Sequence, residues 1–187
     1  MKLILASNSP RRRELLALSK IEFNIVVSDF LEEEVSSNPV ETAEKFAFGK
    51  AESVFASLKD DKDYSVVLGA DTVVFLDGEI LGKPQNEVEA RKMLKKLSGK
   101  THTVVTGYCI ISKDSKIIGN DQTKVTFNNL SDELIDEYIS SGLYKGKAGS
   151  YGIQDGFPLV ERYEGSLSNV IGLPTEKVVP IIKSFIK

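Results

Sequence analysis

"KLILASNSPRRRELL", residues 2 to 16, decides how the chain begins and so what kind of sheet it builds. "KLILA" is a short continuous apolar run, the pattern of a buried strand. Ser9 has the residue type of a helix N-cap and Pro10 that of the first helical position, so "RRRELLAL" continues as a helix. A strand, a short loop and a helix in that order open an α/β fold.

The three arginines conflict with that helix. A helix start carries partial positive charge, and each cation there is unfavourable by roughly a few tenths of a kcal/mol. Two readings stand. The run is a solvated face, with Arg12 or Arg13 pairing with Glu14 or a later carboxylate, or the N–H groups of the Ser7 to Ser9 loop and helix start form an anion site. In the second reading guanidinium forks clamp phosphate oxygens. Successive helical residues point about 100° apart, so three arginines cannot face one ligand. In that reading Arg11 and Arg12 are the clamp, and Arg13 is left to solvent.

Composition narrows the field. The 187 residues are 41% hydrophobic and 27% charged, which suits one α/β domain over residues 1 to 187, or two small lobes sharing a core. A net charge of −3 makes the arginine run a local positive patch on an acidic protein, and no aromatic-rich basic surface accompanies it. Nucleic acid is therefore not an expected partner. The single cysteine, Cys109, excludes an internal disulfide and a cysteine-based zinc site. No stretch approaches the roughly 18 to 20 apolar residues of a membrane span, and "MKLILA" is too short an apolar run for a signal peptide. The expectation is a soluble cytoplasmic protein with no membrane contact.

Further along, "FNIVV" (23 to 27) reads as a strand that ends in the acidic stretch "SDFLEEE". Small and apolar residues at 40, 43, 47, 51, 54 and 58 have helical spacing, and Lys50 falls on that apolar side, where it either snorkels to solvent or reaches into a cleft. "YSVVLGAD" (64 to 71) reads as a buried strand delivering Asp71 at its C-terminal end, followed by a hairpin at Asp77-Gly78. "NEVEARKMLKKLSG" (86 to 99) is helical. "HTVVTGYCII" and "KVTFNNL" are β-rich, joined by a polar connection containing "KDSK" and "GNDQ". Ser131 caps a helix, the glycine-rich 141 to 156 is a shaped loop, "FPLVERYEG" is a strand, and Thr175 opens a final helix.

Asp71 is placed to hold Mg²⁺ or orient a water, or else merely caps a turn. Of Asp29, Glu32, Glu33 and Glu34, one or two join it around a metal while the rest are solvated. Lys83 lies in a turn before Pro84, and Lys147 in the glycine-rich loop, where backbone approaches a ligand closely. His102 has no partner at metal-ligand spacing and is structural. Any metal should be a hard, oxygen-liganded cation.

"LILASNSPRRRELL", "GADTVVFLDGEILGKP", "MLKKLSGKTHTVVTG", "KAGSYGIQ" and "EGSLSNVIGLP" resemble the successive signature blocks of the Maf family of nucleoside triphosphate pyrophosphatases, in the family's order from residue 3 to residue 174. The resemblance implies an elongated mixed α/β sheet with flanking helices, two lobes around a central cleft, as in the inosine triphosphate pyrophosphatases. It implies hydrolysis of a nucleoside triphosphate to monophosphate and pyrophosphate with a divalent cation, Mg²⁺ or Mn²⁺. The family's catalytic aspartate falls on Asp71, its phosphate loop on Ser7, Arg11 and Arg12, and its lysines on Lys50, Lys83 and Lys147. Its acidic segment falls on "DFLE", so Glu32, and less directly Asp29, join Asp71 as metal ligands. "GLYKG" lacks the acidic residues the family often has before "KAG", and "GIQD" replaces the commoner "GIQG", which alters the local turn.

Arg12, Thr72 and Gln154 resemble the branch acting on dTTP and UTP. A glutamine amide both donates to a carbonyl and accepts from an imide N–H, as a uracil or thymine edge requires. The resemblance is compatible with nucleotide-pool sanitation and leaves room for a homodimer. It also carries an alternative, a nucleotide-binding regulator of cell division acting in septum formation with little turnover.

Overall fold

The N-terminal strand, loop and helix form as their residues dictate. In the computed structural model, which describes residues 1–33, 36–58 and 65–186, β1 (Lys2–Leu5) leads into α1 (Pro10–Ala17) with Ser9 as N-cap and Pro10 as the first helical residue. The Ser9 side chain accepts from Arg12 N, satisfying one of the helix's free donors. Leu16 is the buried residue of α1, worth about 1.5 to 3 kcal/mol of apolar burial.

The remaining elements follow in the order β2 (Phe23–Ile25), α2 (Pro39–Ser57), β3 (Ser65–Leu76), β4 (Glu79–Leu81), α3 (Glu87–Leu97), β5 (Thr101–Ile111), β6 (Lys116–Phe127), α4 (Asp132–Ser140), β7 (Val160–Glu164), α5 (Leu167–Ile171) and α6 (Thr175–Phe185). They build one seven-stranded mixed sheet in the order β2-β1-β3-β5-β6-β7, with β4 paired to β3. β1 runs parallel to both β2 and β3, and the other pairs are antiparallel. Tyr64 and Glu34, which the sequence reading placed in a strand and in an acidic run, lie outside the described residues.

Two expectations need correction. The strand carrying Asp71 does not end there but runs on to Leu76, because β5 supplies antiparallel hydrogen bonding along it from Val67 to Phe75. "GNDQ" belongs to β6 and not to a connection: its polar residues sit on a half-exposed strand whose backbone is paired with β5.

β3 and β5 are the spine shared by two cores. Val66, Leu68 and Ala70 of β3 pack with α1 and α6 through Leu16, Val178 and Ile182, whereas Val74 and Leu76 pack with α3 and α4 through Leu94, Leu97 and Ile135. The alternate residues Val67 and Val73 face α2. α2 lies unusually close to the sheet because Ala43, Ala47 and Ala51 meet two glycines. A Cβ on Gly107 would stand 2.3 Å from the Ala43 backbone, and one on Gly69 2.3 Å from Ala47 O. The close approach carries Lys50 to the level of Asp71, the cross-strand partner of Gly107.

Candidate functional site

On its β1 side, β3 is paired with β1 over residues 65 to 68 and with β4 over 74 to 76. Between these partners that edge is open, beyond the carboxyl end of β1, where parallel strands commonly build binding sites. A cleft of about 480 Å³ lies over the gap. Asp71 and Thr72 leave β3 on opposite faces, yet both line this cleft, and among the described residues no strand pairs with that edge of β3 between β1 and β4. The residues singled out for the site line it too, Asp29 excepted: Ser7, Arg11 and Arg12 from the first loop and helix, Glu32 and Lys50, Lys83, and Lys147 and Gln154 from the glycine-rich loop.

Arg12 is held by three acceptors. Its Nε donates to Gly172 O at 2.7 Å, one terminal nitrogen to Thr72 Oγ1 at 3.0 Å and the other to Ser7 Oγ at 3.5 Å. A guanidinium has five N–H donors. Three are spent here, so the two left over sit one on each terminal nitrogen, enough for a bidentate anion contact. Burial pulls the Arg12 pKa down, with the Asp71 charge opposing that pull. Arg11 donates to Gly146 O at 3.4 Å, across the cleft on the glycine-rich loop. Arg13 is exposed, as expected.

Behind Thr72 lies a directional chain of hydrogen bonds. Thr106 Oγ1 donates its one proton to Asn169 O at 2.9 Å. The 2.9 Å contact between Thr72 Oγ1 and Thr106 Oγ1 must therefore run from Thr72 to Thr106. Thr72 has no proton left for a ligand, and its oxygen accepts from Arg12. Asn169 is itself fixed by donating to Val104 O and Thr123 Oγ1, which anchors α5 and the Gly172 carbonyl that follows it.

The opposite wall carries the carboxylates. Lys50 Nζ lies 2.6 Å from Asp71 Oδ1 and 2.6 Å from Glu32 Oε1, and Lys83 Nζ reaches Glu32 at 3.1 Å. Asp71 is 3% exposed. The segment after β2 delivers Glu32 because Phe30 packs on α2 directly over Gly49, where a Cβ would stand 2.2 Å from its ring. Burial alone would raise the Glu32 pKa, but hydrogen bonds and charge from Lys50 and Lys83 outweigh it and hold the carboxyl below its ordinary value. Asp29 is not at this wall: it accepts from Ser53 Oγ and does not line the cleft, and Glu33 is exposed. Lys50 therefore reaches into the cleft and does not snorkel.

Among the described residues no three His, Cys, Asp or Glu side chains gather as a metal cage. Two neighbouring carboxylates are nonetheless a fitting donor set for a hard cation that takes its other ligands from water and phosphate. Lys50 occupies one oxygen of each.

Gln154 is exposed at the rim, and Lys147 is buried. Asp155, the departure "GIQD", is a nearly buried carboxylate paired with Lys147. Sequence reasoning gave no functional part to Asp155, Thr106 or Asn169. An acid within a glycine-rich loop that also holds a lysine, and a threonine inside the apolar run "VVTGY", were the available signals. His102 is structural, its Nε2 2.7 Å from Tyr151 Oη and its ring edge-on to Phe127. Among the described residues no helix is long and apolar enough to cross a membrane.

The chain is similar to known proteins over nearly its whole length. The family described as Maf-like protein matches residues 2–185. A Pyrococcus furiosus protein is 50% identical over 186 residues, covering 97% of this chain and 94% of its own, and an Aquifex aeolicus protein is 46% identical over 184 residues, covering 98% and 95%. Both are named dTTP/UTP pyrophosphatase. A solved nucleoside-triphosphatase / dITP/XTP pyrophosphatase from Mycobacterium abscessus is 12% identical with a TM-score of 0.49, over 100% of this chain and 99% of that one. With a family match over nearly its whole length and relatives at these identities, the chain belongs to the Maf-like family.

Proposed function

We propose that the protein hydrolyses nucleoside triphosphates, dTTP and UTP first among them, to the monophosphate and pyrophosphate. One observation carries the reading: a single cleft brings Arg11, Arg12, Lys50, Lys83 and Lys147 together around the carboxylates Glu32 and Asp71. Cations against a buried carboxylate suit a polyphosphate with a water beside it. The names of the relatives support the pyrimidine substrates and the pyrophosphate product.

In this account the loop at Ser7 and the two free N–H groups of Arg12 bind phosphate oxygens, and Arg11 closes on them from the loop side. Lys83 and Lys147 offset the charge that grows on the leaving pyrophosphate. Asp71 orients the attacking water toward the α-phosphorus and accepts its proton. Lys50 keeps the carboxylate aimed into the cleft. Gln154 at the rim reads the base edge. Thr72, with its proton committed to Thr106, serves by holding Arg12 and not by donating to phosphate. Glu32 and Asp71 are the residues that would hold Mg²⁺ or Mn²⁺, which when bound neutralises phosphoryl charge.

The test is a panel of common nucleoside triphosphates with Mg²⁺ or Mn²⁺, with products identified. Monophosphate and pyrophosphate from dTTP and UTP, abolished by Asp71→Asn, is the expected result. Release of orthophosphate with the diphosphate, or full turnover by Asp71→Asn, contradicts it.

A further inference from the structure

The glycine-rich loop holds a carboxylate to which the reaction as derived gives no part. The Asp155 side chain is 6% exposed, and its Oδ2 accepts from both Lys147 Nζ and Tyr138 Oη, the latter at 2.6 Å. Tyr138 is fully buried on α4, and its hydroxyl oxygen accepts from Gly152 N at 3.2 Å. A phenol has one proton, spent here on Asp155, so the direction of each bond is fixed. The contacts tie the middle and the end of the loop to α4, in the core beside the cleft.

What this tie presents to the cleft is Lys147, whose side chain is 8% exposed. Arg11 approaches the same place from α1, donating to Gly146 O, the residue before Lys147. Two cations brought this near in a partly buried site repel each other. Burial pulls the pKa of both down, the Arg11 charge lowers that of Lys147 further, and the Asp155 charge acts on both in the opposite sense. Lys147 pairs with Asp155 of its own loop and feels the charge of Arg11 on α1, and it shares the cleft with the cations Lys83 and Lys145 and the carboxylates Glu32 and Asp71. Glu32 and Asp71 are paired with Lys50 and Lys83, and Asp155 is the carboxylate paired with Lys147.

We propose that Asp155 is a positioning residue, which, anchored to α4 through Tyr138, holds the Lys147 ammonium in the cleft beside Arg11 so that both cations can meet one polyphosphate. It rests on the functional reading above for the identity of the anion, but not for the geometry. The arrangement makes the loop's grip on an anion depend on a residue that does not touch the anion.

The experiment is a titration of the Lys147 side chain by NMR of ¹³Cε-lysine protein, with the resonance assigned by Lys147→Met, in wild type, Asp155→Asn and Tyr138→Phe. Asp155→Asn should lower the Lys147 midpoint by about one pH unit or more, whereas Tyr138→Phe, which leaves the carboxylate in place, should keep the wild-type midpoint. With UTP and Mg²⁺, both variants should raise KM about tenfold while changing kcat less than about twofold. An unchanged midpoint in Asp155→Asn overturns the proposal, as does a lowered midpoint with unchanged KM. If the wild type turns over neither UTP nor dTTP, the functional reading falls and the titration still decides the role of Asp155.

Discussion

Lys50 Nζ stands 2.6 Å from Asp71 Oδ1 and makes a second contact to Glu32, so one ammonium bridges both carboxylates of the cleft, with Lys83 adding a second positive charge at Glu32. Asp71 is buried and would be costly to leave ionised without that partner. Lys50→Met should therefore destabilise the protein by about 3 kcal/mol in metal-free buffer. Added Mg²⁺ should restore stability in the variant more than it raises that of the wild type, since a cation that binds the folded state stabilises it by mass action. Thermal unfolding of both proteins with and without Mg²⁺ checks this. An equal response in the two would show that Lys50 and the metal do not share the carboxylates.

That contact depends on how close α2 lies to the sheet. Gly107→Ala puts a methyl group against the Ala43 backbone, at a place where neither side is a flexible chain end. The expected cost is about 1 to 3 kcal/mol, read by denaturant unfolding. Turnover should fall beyond what lost folded protein explains, because the helix carrying Lys50 must move away from Asp71. A variant with wild-type stability would contradict the packing account.

Thr106 acts on Arg12 through Thr72. Thr106→Val removes the acceptor for the Thr72 proton, at a price of about 0.5 to 1.5 kcal/mol, and should raise KM for UTP about fivefold. Thr106→Ser should restore it. Adding Thr106→Val to Thr72→Val should raise KM much less than Thr106→Val does alone, the remainder coming from the lost bond to Asn169 O, whereas fully additive losses in the double variant would break the proposed chain.

His102 sets an acid limit on stability. Burial holds its pKa in the folded protein down to about 4 from an ordinary 6.5. Between those values the unfolded chain takes up a proton that the folded one refuses. The contribution is therefore full above pH 6.5 and is lost as pH falls toward 4, by on the order of 3 kcal/mol. His102 is the chain's one histidine, so a flatter fall in melting temperature from pH 6.5 to 4 in His102→Gln isolates its share. Parallel curves would remove it.

Much of the cleft was legible before the structure because its elements are local. Ser9 and Pro10 place Arg11 and Arg12 at a helix start whatever the rest of the chain does, and the spacing of 43, 47 and 50 puts Lys50 on the packed side of α2. The end of β3 was not legible. Its length is set by β5, whose pairing partners lie about thirty or more residues on in sequence and leave no mark on "GADTVV" itself. Thr106 and Asn169 escaped for the same reason: they act through a contact spanning 63 residues, and each alone is an ordinary polar residue. Asp155 was visible as a departure from pattern, but its partner on α4 was not.

The most direct test of the central claim, water attack at the α-phosphorus, is hydrolysis of UTP by the protein with Mg²⁺ in H₂¹⁸O, followed by mass spectrometry of both products. The account predicts one ¹⁸O in UMP and none in pyrophosphate. Label in pyrophosphate, or in orthophosphate released with UDP, would contradict it.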